Sequence, residues 1–125
     1  MREVITTRDG PPALGPYSQA IRANGFVFVS GQVAIDPVTN TLIGGDVSFQ
    51  TDRILKNLSG ILKAAGSGLE KVVRTTVFLK NMGDFAAMNE AYGKYFPSAP
   101  PARSTVEVAR LPKDVLIEID VIALA

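Results

Sequence analysis

Residues 100–115 read PPARSTVEVARLPKDV, and Arg103 within them is the first candidate for chemistry. Pro100 and Pro101 restrict the backbone that leads into it, so an arginine opening a strand here has little conformational freedom left to lose. Its planar fork suits a carboxylate held bidentately. The competing reading is an ordinary solvated charge at a strand start. Glu118 is the second candidate, a carboxylate set between Leu116 and Ile122. Once covered, such a group must be paired, hydrogen-bonded or raised in pKa, and it equally suits pairing with a neighbouring subunit's Lys or Arg. The chain holds no cysteine and no histidine. Thiolate nucleophiles, disulfides, imidazole bases and the commonest metal ligand are thereby excluded. Catalysis must run on carboxylates, hydroxyls, amides, Lys, Arg and backbone, and no metal is expected.

These residues need elements to carry them. Gly25–Val33, GFVFVSGQV, is β-branched or aromatic at nearly every position and reads as a strand covered on both faces. Asp36, Pro37 and Asn40 supply turn chemistry before a short apolar stretch at Thr41–Ile43. Ile54, Leu55, Leu58, Ile61, Leu62 and Ala65 repeat at helical spacing, with Asp46 or Ser48 as the cap and Gly66 as the stop. Lys71–Lys80 reads as a Val- and Thr-rich strand. Asn81 and Asp84 open a second helix, predicted to carry Phe85, Met88, Tyr92, Tyr95 and Phe96 on one face until Pro97 ends it. Two final strands are expected, Arg103–Ala109 and Val115–Leu124. The order strands, helix, strand, helix, strands predicts an α+β domain with two helices on one face of a sheet.

Period 2 divides the last strands into faces. Val115, Ile117, Ile119, Val121 and Ala123 alternate without a break and should meet the helices. Leu116, Glu118, Asp120, Ile122 and Leu124 then share the other face, which is too apolar for water alone. An oligomer that packs sheet against sheet is the economical cover, and it places Glu118 near a subunit interface. In the Arg103 strand, Arg103, Thr105 and Glu107 share one face, and Ser104, Val106 and Val108 share the other. There the valines are expected to look inward.

The bounds are those of one domain spanning residues 1–125. Thirteen basic and twelve acidic residues are mixed along the chain for a net charge of +1, with no basic block to follow a phosphate backbone, so nucleic acid is not the expected partner. No stretch approaches a membrane span, and MREVITTRDGPP lacks the apolar run of a signal peptide. A cytoplasmic protein is the expectation.

Three stretches carry a family resemblance: GPYSQA at 15–20, VSGQ at 29–32 and PARS-VEVARLPKDV-IEI from Pro101 to Ile119. With them the sequence resembles the RidA (YjgF) family of enamine and imine deaminases, nearly end to end. The resemblance implies a chorismate-mutase-like fold of the bacillus type, a mixed six-stranded sheet with two helices on one face. It also implies a homotrimer with active sites between subunits and no cofactor. Arg103 matches the arginine that binds the substrate carboxylate, and Glu118 the acid that positions water. Tyr17, Ser30, Gly31 and Asn89 fall where the family lines its pocket, Tyr17 among its catalytic groups, and Thr105 adds backbone groups there. Relatives often carry Cys at the position of Thr105.

The implied substrates are 2-aminoacrylate, its tautomer 2-iminopropanoate, and 2-iminobutanoate, which pyridoxal-phosphate-dependent serine and threonine dehydratases release. Bland readings stand beside these roles. Tyr17 suits a loop aromatic packed on the core, Ser30 and Gly31 a small-residue packing site, and Asn89 a hydrogen bond to a loop. Two other functions remain open: a 2-oxo acid binding or regulatory module, and an endoribonuclease or translation inhibitor. Chorismate mutase shares only the implied fold, because no second well-placed arginine accompanies Arg103, with Arg74 and Arg110 the only nearby candidates.

Overall fold

The computed structural model describes residues 1–125. Eight strands and two helices run in the order β1 (Arg2–Ile5), β2 (Ala20–Ala23), β3 (Phe26–Gln32), β4 (Ile35–Asp36), β5 (Thr41–Leu42), α1 (Val47–Ala64), β6 (Val72–Leu79), α2 (Phe85–Gly93), β7 (Ala102–Glu107) and β8 (Ile117–Leu124). Six strands form one sheet in the order β1-β2-β3-β8-β6-β7, and β4 pairs with β5 as a separate hairpin. Every neighbour in the large sheet is antiparallel except β6 and β7, which run parallel. The sheet is therefore mixed, as expected. Periodicity does not announce β1 and β2, since four-residue strands such as REVI and AIRA are too short to show an alternation.

Helix α1 forms because its apolar residues recur on one stripe, and Ile54, Leu55, Leu58, Ile61 and Leu62 are fully buried. Asp46 caps it, its carboxylate accepting from the Phe49 N–H at 2.9 Å, and the chain turns away at Gly66, whose φ of 81° suits glycine. The stripe packs on Val27, Val29, Ile117, Ile119, Val121 and Ala123 of the central strands. Each of the Val, Leu and Ile side chains stabilises the fold by roughly 2 kcal/mol through burial.

Helix α2 is shorter than its apolar spacing predicts, because it ends at Gly93 and leaves Tyr95 and Phe96 in the turn that follows. Tyr95 swings to α1, where its hydroxyl donates to Asp52. Burial pushes the Tyr95 phenol up to about 12, aided by that carboxylate.

A second departure concerns β7. Its inward face carries Arg103 and Thr105, not the valines, and Val106 is 41% exposed. The reason is register: Arg103 lies opposite Thr75 of β6, and the Thr75 hydroxyl meets the Tyr92 hydroxyl at 2.8 Å on the helix side.

Gln19 anchors the loop that precedes β2. Its buried amide nitrogen donates to the Pro11 and Thr7 carbonyls at 2.7 and 3.0 Å, and its oxygen accepts from the Thr7 N–H at 2.7 Å. The same loop presses on α1, where a β-carbon at Gly60 would stand 2.5 Å from the Asp9 carbonyl oxygen. Gly60→Ala tests this contact. Helix propensity alone favours alanine by about 1 kcal/mol. The clash with backbone outweighs it, and a net loss of about 1–2 kcal/mol is expected in urea unfolding. A stabilised variant would show that the loop does not need this approach.

Candidate functional site

Arg103 enters from an edge strand. Its guanidinium carbon lies 4.9 Å from the centre of the Tyr92 ring and 5.6 Å from that of Phe85, and one N–H faces the Met88 sulfur at 3.9 Å. All three partners come from α2, at positions 85, 88 and 92, which helical spacing puts on one side. Burial raises the Tyr92 phenol above its usual range against the opposing pull of Thr75 and Arg103, so Arg103 faces a neutral ring. The chain's three ion pairs are Arg22 with Glu3, Lys56 with Asp52, and Lys80 with Asp114. Arg103 has no carboxylate partner.

The cleft beside it holds about 370 Å³ and is lined by Asn89, Tyr92, Gly93, Phe96, Pro100, Pro101 and Arg103. Asn89 Oδ1 and Thr105 Oγ1 are buried without any hydrogen-bond partner. Buried polar atoms are nearly always paired in folded proteins, and of these two orphans Asn89 is the one whose residue lines the cleft with Arg103. Ala99, at the turn before the two prolines, adopts a φ of 48°, a left-handed conformation that costs a non-glycine residue about 1 kcal/mol.

Glu118 points to the other side of the sheet. It lies opposite Phe78 of β6, and a β-carbon at Gly31 would collide with its carboxylate. Gly31 belongs to an irregular segment of β3, since the pairing with β8 slips between Val29 and Gln32. Burial raises the Glu118 carboxyl above the usual glutamate range, and the like charge of Asp120, two residues on along the same face, adds to it. Asp120 is raised by burial too, although Thr76 and Arg74 of β6 pull against the rise. Arg74 also donates to the Ser104 hydroxyl at 2.7 Å, which ties β6 to β7 on this face.

Tyr17 and Ser30 line a cleft of about 460 Å³ on the open side, with Arg2, Ile21 and Phe28 among its walls. The Tyr17 hydroxyl accepts from the Leu14 N–H at 3.3 Å, and the Ser30 hydroxyl donates to the Ser18 carbonyl at 2.6 Å. The seven candidate residues thus fall into two groups. Arg103, Asn89 and Thr105 gather on the helix side, and Glu118, Gly31, Ser30 and Tyr17 on the open side. One chain does not bring the groups together.

Phe85, Met88 and Tyr92 escaped the sequence reading as site residues, because an apolar stripe at helical spacing ordinarily means core. Asp120 escaped it as one more charge on an alternating strand. The available signal was spacing: period 2 puts Asp120 on the face of Glu118, and Phe85 stands four residues before Asn89 and three before Met88 on one helix.

No helix of the chain is long and apolar enough to cross a membrane. Residues 7–125 match the family model described as Endoribonuclease L-PSP. A RutC family protein of Pyrococcus horikoshii is 54% identical over 123 residues, covering 98% of both chains. The chloroplastic Reactive Intermediate Deaminase A of Arabidopsis thaliana is 49% identical over 122 residues, covering 98% of this chain and 65% of that protein. The crystal structure of TdcF from Escherichia coli with bound serine superposes with a TM-score of 0.93 at 40% identity, covering 98% of each chain. A matching model over nearly the whole chain, close relatives and a shared α+β architecture agree, and the chain belongs to the Endoribonuclease L-PSP family, which includes the RutC and Rid proteins.

Proposed function

We propose that this protein hydrolyses small 2-imino acids and their enamine tautomers, 2-iminopropanoate with 2-aminoacrylate and 2-iminobutanoate, to 2-oxo acids and ammonia. The observation that carries the reading is Arg103, a cation without a counter-ion, in a cleft that it lines together with Asn89, whose side-chain oxygen is buried without a partner. A 2-imino acid offers a carboxylate for the guanidinium and N–H donors for oxygen acceptors. The relative named Reactive Intermediate Deaminase A, and the amino acid bound to TdcF, support a ligand of this class.

Water adds to the imine carbon, the C=N bond becomes a C–N single bond with the proton going to nitrogen, and the carbinolamine then expels ammonia as the C=O forms. A protonated imine is already electrophilic, so the protein needs to orient it and to move protons. Arg103 anchors it through the carboxylate, a contact present before and throughout the chemical step. Asn89 and Thr105 take the nitrogen end. Glu118, whose raised carboxyl titrates nearer the working pH, accepts a proton from water and returns it to the leaving nitrogen. Tyr17, Ser30 and Gly31 shape the wall on that side.

Since Arg103 and Glu118 point to opposite faces, a complete site combines the helix-side group of one copy with the open-side group of another. The open face favours such packing, with Phe28 at 44% and Val106 at 41% exposure in the single chain. A homotrimer with three inter-subunit sites is the assembly we assign, and light scattering should return three times the 13.3 kDa chain mass. In this reading the protein acts downstream of pyridoxal-phosphate-dependent serine or threonine dehydratases, which release its substrates. The family description names an endoribonuclease, yet the cleft offers one cation where a phosphate backbone calls for several.

Three experiments test this reading. With threonine and a threonine dehydratase generating 2-iminobutanoate, semicarbazide traps the imine. Wild-type protein should suppress trapping, while Arg103→Ala, with its oligomer intact, should not; trapping unaffected by folded wild type would leave a carboxylate-binding module instead. Gly31→Ala pushes the flexible end of Glu118 aside, so turnover should fall about 100-fold with little change in melting. Normal turnover in that variant would remove Glu118 from the chemistry.

The third experiment is a titration of Glu118 by carboxyl NMR. Its midpoint should lie above 4.5, and Asp120→Asn, by removing the like charge, should lower it. A folded carboxyl that titrates above its unfolded value stabilises the fold fully below about pH 4.5, and that contribution is lost as pH rises through the folded midpoint. An unmoved midpoint in Asp120→Asn would show that burial acts alone.

A further inference from the structure

Arginines at anion sites face a conflict. A guanidinium left loose in a cleft loses rotamer entropy when it binds, whereas one fixed by a neighbouring Asp or Glu has already spent its charge on that partner. Around Arg103 the chain supplies no carboxylate on the α2 side. It supplies two aromatic rings and a thioether, with Tyr92 at 4.9 Å, Phe85 at 5.6 Å and the Met88 sulfur at 3.9 Å. Ring faces attract a cation through their quadrupole, and a sulfur accepts weakly, so both hold a guanidinium without neutralising it. The rings are themselves held. Tyr92 is buried, its hydroxyl bonded to Thr75 at 2.8 Å and its ring 4.7 Å from that of Phe96.

We infer that Phe85, Met88 and Tyr92 form a charge-sparing clamp, positioning residues that preset the Arg103 fork for the substrate carboxylate without competing for it. The inference rests on the reading of Arg103 as the carboxylate ligand. None of the three touches the reacting atoms. Tyr92 acts through its ring face, and its hydroxyl, bonded to Thr75, fixes that ring against β6 while also feeling the charge of Arg103. The arrangement also predicts which step the clamp affects. A carboxylate is bound equally in the ground state and the transition state, so loosening its partner weakens binding and leaves the chemical step alone.

The experiment compares Phe85→Leu, Tyr92→Leu and Tyr92→Phe with the wild type in the imine-trapping assay. It adds titration with 2-oxobutanoate, a carboxylate that cannot be turned over. Phe85→Leu is the safer variant, because Phe85 is 39% exposed and leucine keeps apolar bulk. Each leucine variant should raise KM and the 2-oxobutanoate Kd roughly 5-fold at constant kcat, in line with one cation–π contact. Tyr92→Phe, which keeps the ring, should recover most of the affinity lost in Tyr92→Leu.

A second readout is independent of turnover. The Arg103 Nε–H resonance, assigned by its loss in Arg103→Lys, should be displaced upfield by the rings and should move back in either leucine variant. If Tyr92→Leu fails to fold, Phe85→Leu decides alone. Unchanged affinity and an unmoved resonance in folded Phe85→Leu would overturn the clamp. A displaced resonance that responds to both variants, in a protein that neither binds 2-oxobutanoate nor spares the imine, would support the clamp and sink the deaminase reading.

Discussion

The register of β6 against its two neighbours decides the chemistry available to a single chain. Thr75 lies opposite Arg103 on one side and Val121 on the other, while Phe78 lies opposite Glu118. Residues 75 and 78 are an odd number apart, so period 2 sends them to opposite faces. Arg103 goes with the helices and Glu118 goes away from them. A slip of one residue in the β6–β8 pairing would turn Glu118 to the helix side, but it would also expose Ile117, Ile119 and Val121, all essentially buried. The hydrophobic core thus holds Glu118 on the face away from Arg103.

That separation explains why each group stands in a costly state. Arg103 holds an unneutralised charge, and Glu118 is a half-buried carboxyl whose pKa burial and then Asp120 raise. Either cost would vanish if the two formed an ion pair within one sheet face, and the site would then be satisfied without a ligand. Keeping them on opposite faces preserves both.

Much of this was legible from residue types. The alternation in β8 identified its buried face, the α1 stripe and Asp46 cap were visible, and the paired prolines drew notice to Arg103. Other features depended on long-range pairing. Val106 looked like a core residue because valine usually is one; only the parallel register with β6 and the position of α2 show that Arg103 takes the inward side. Tyr95 and Phe96 continued an apolar spacing that Gly93 interrupts, and the draw of Asp52 on the Tyr95 hydroxyl lies in no local pattern. Strands β1 and β2 were too short for periodicity. The clamp was hidden because Phe85, Met88 and Tyr92 satisfy the spacing of a core and serve a second purpose on the same surface.

The position of β8 has a consequence for how the chain is made. It is the last of the sheet's strands to emerge during synthesis, yet it lies in the middle, between β3 and β6. Until it arrives, β1-β2-β3 and β6-β7 are two partial sheets that share no hydrogen bond, each with a bare edge where the other half belongs. Such edges pair readily with foreign strands. A nascent chain therefore passes through an interval in which its open edges are apolar and its future centre is vacant. Closing that gap with one insertion aligns the halves, sets Glu118 on its face and buries both edges at once.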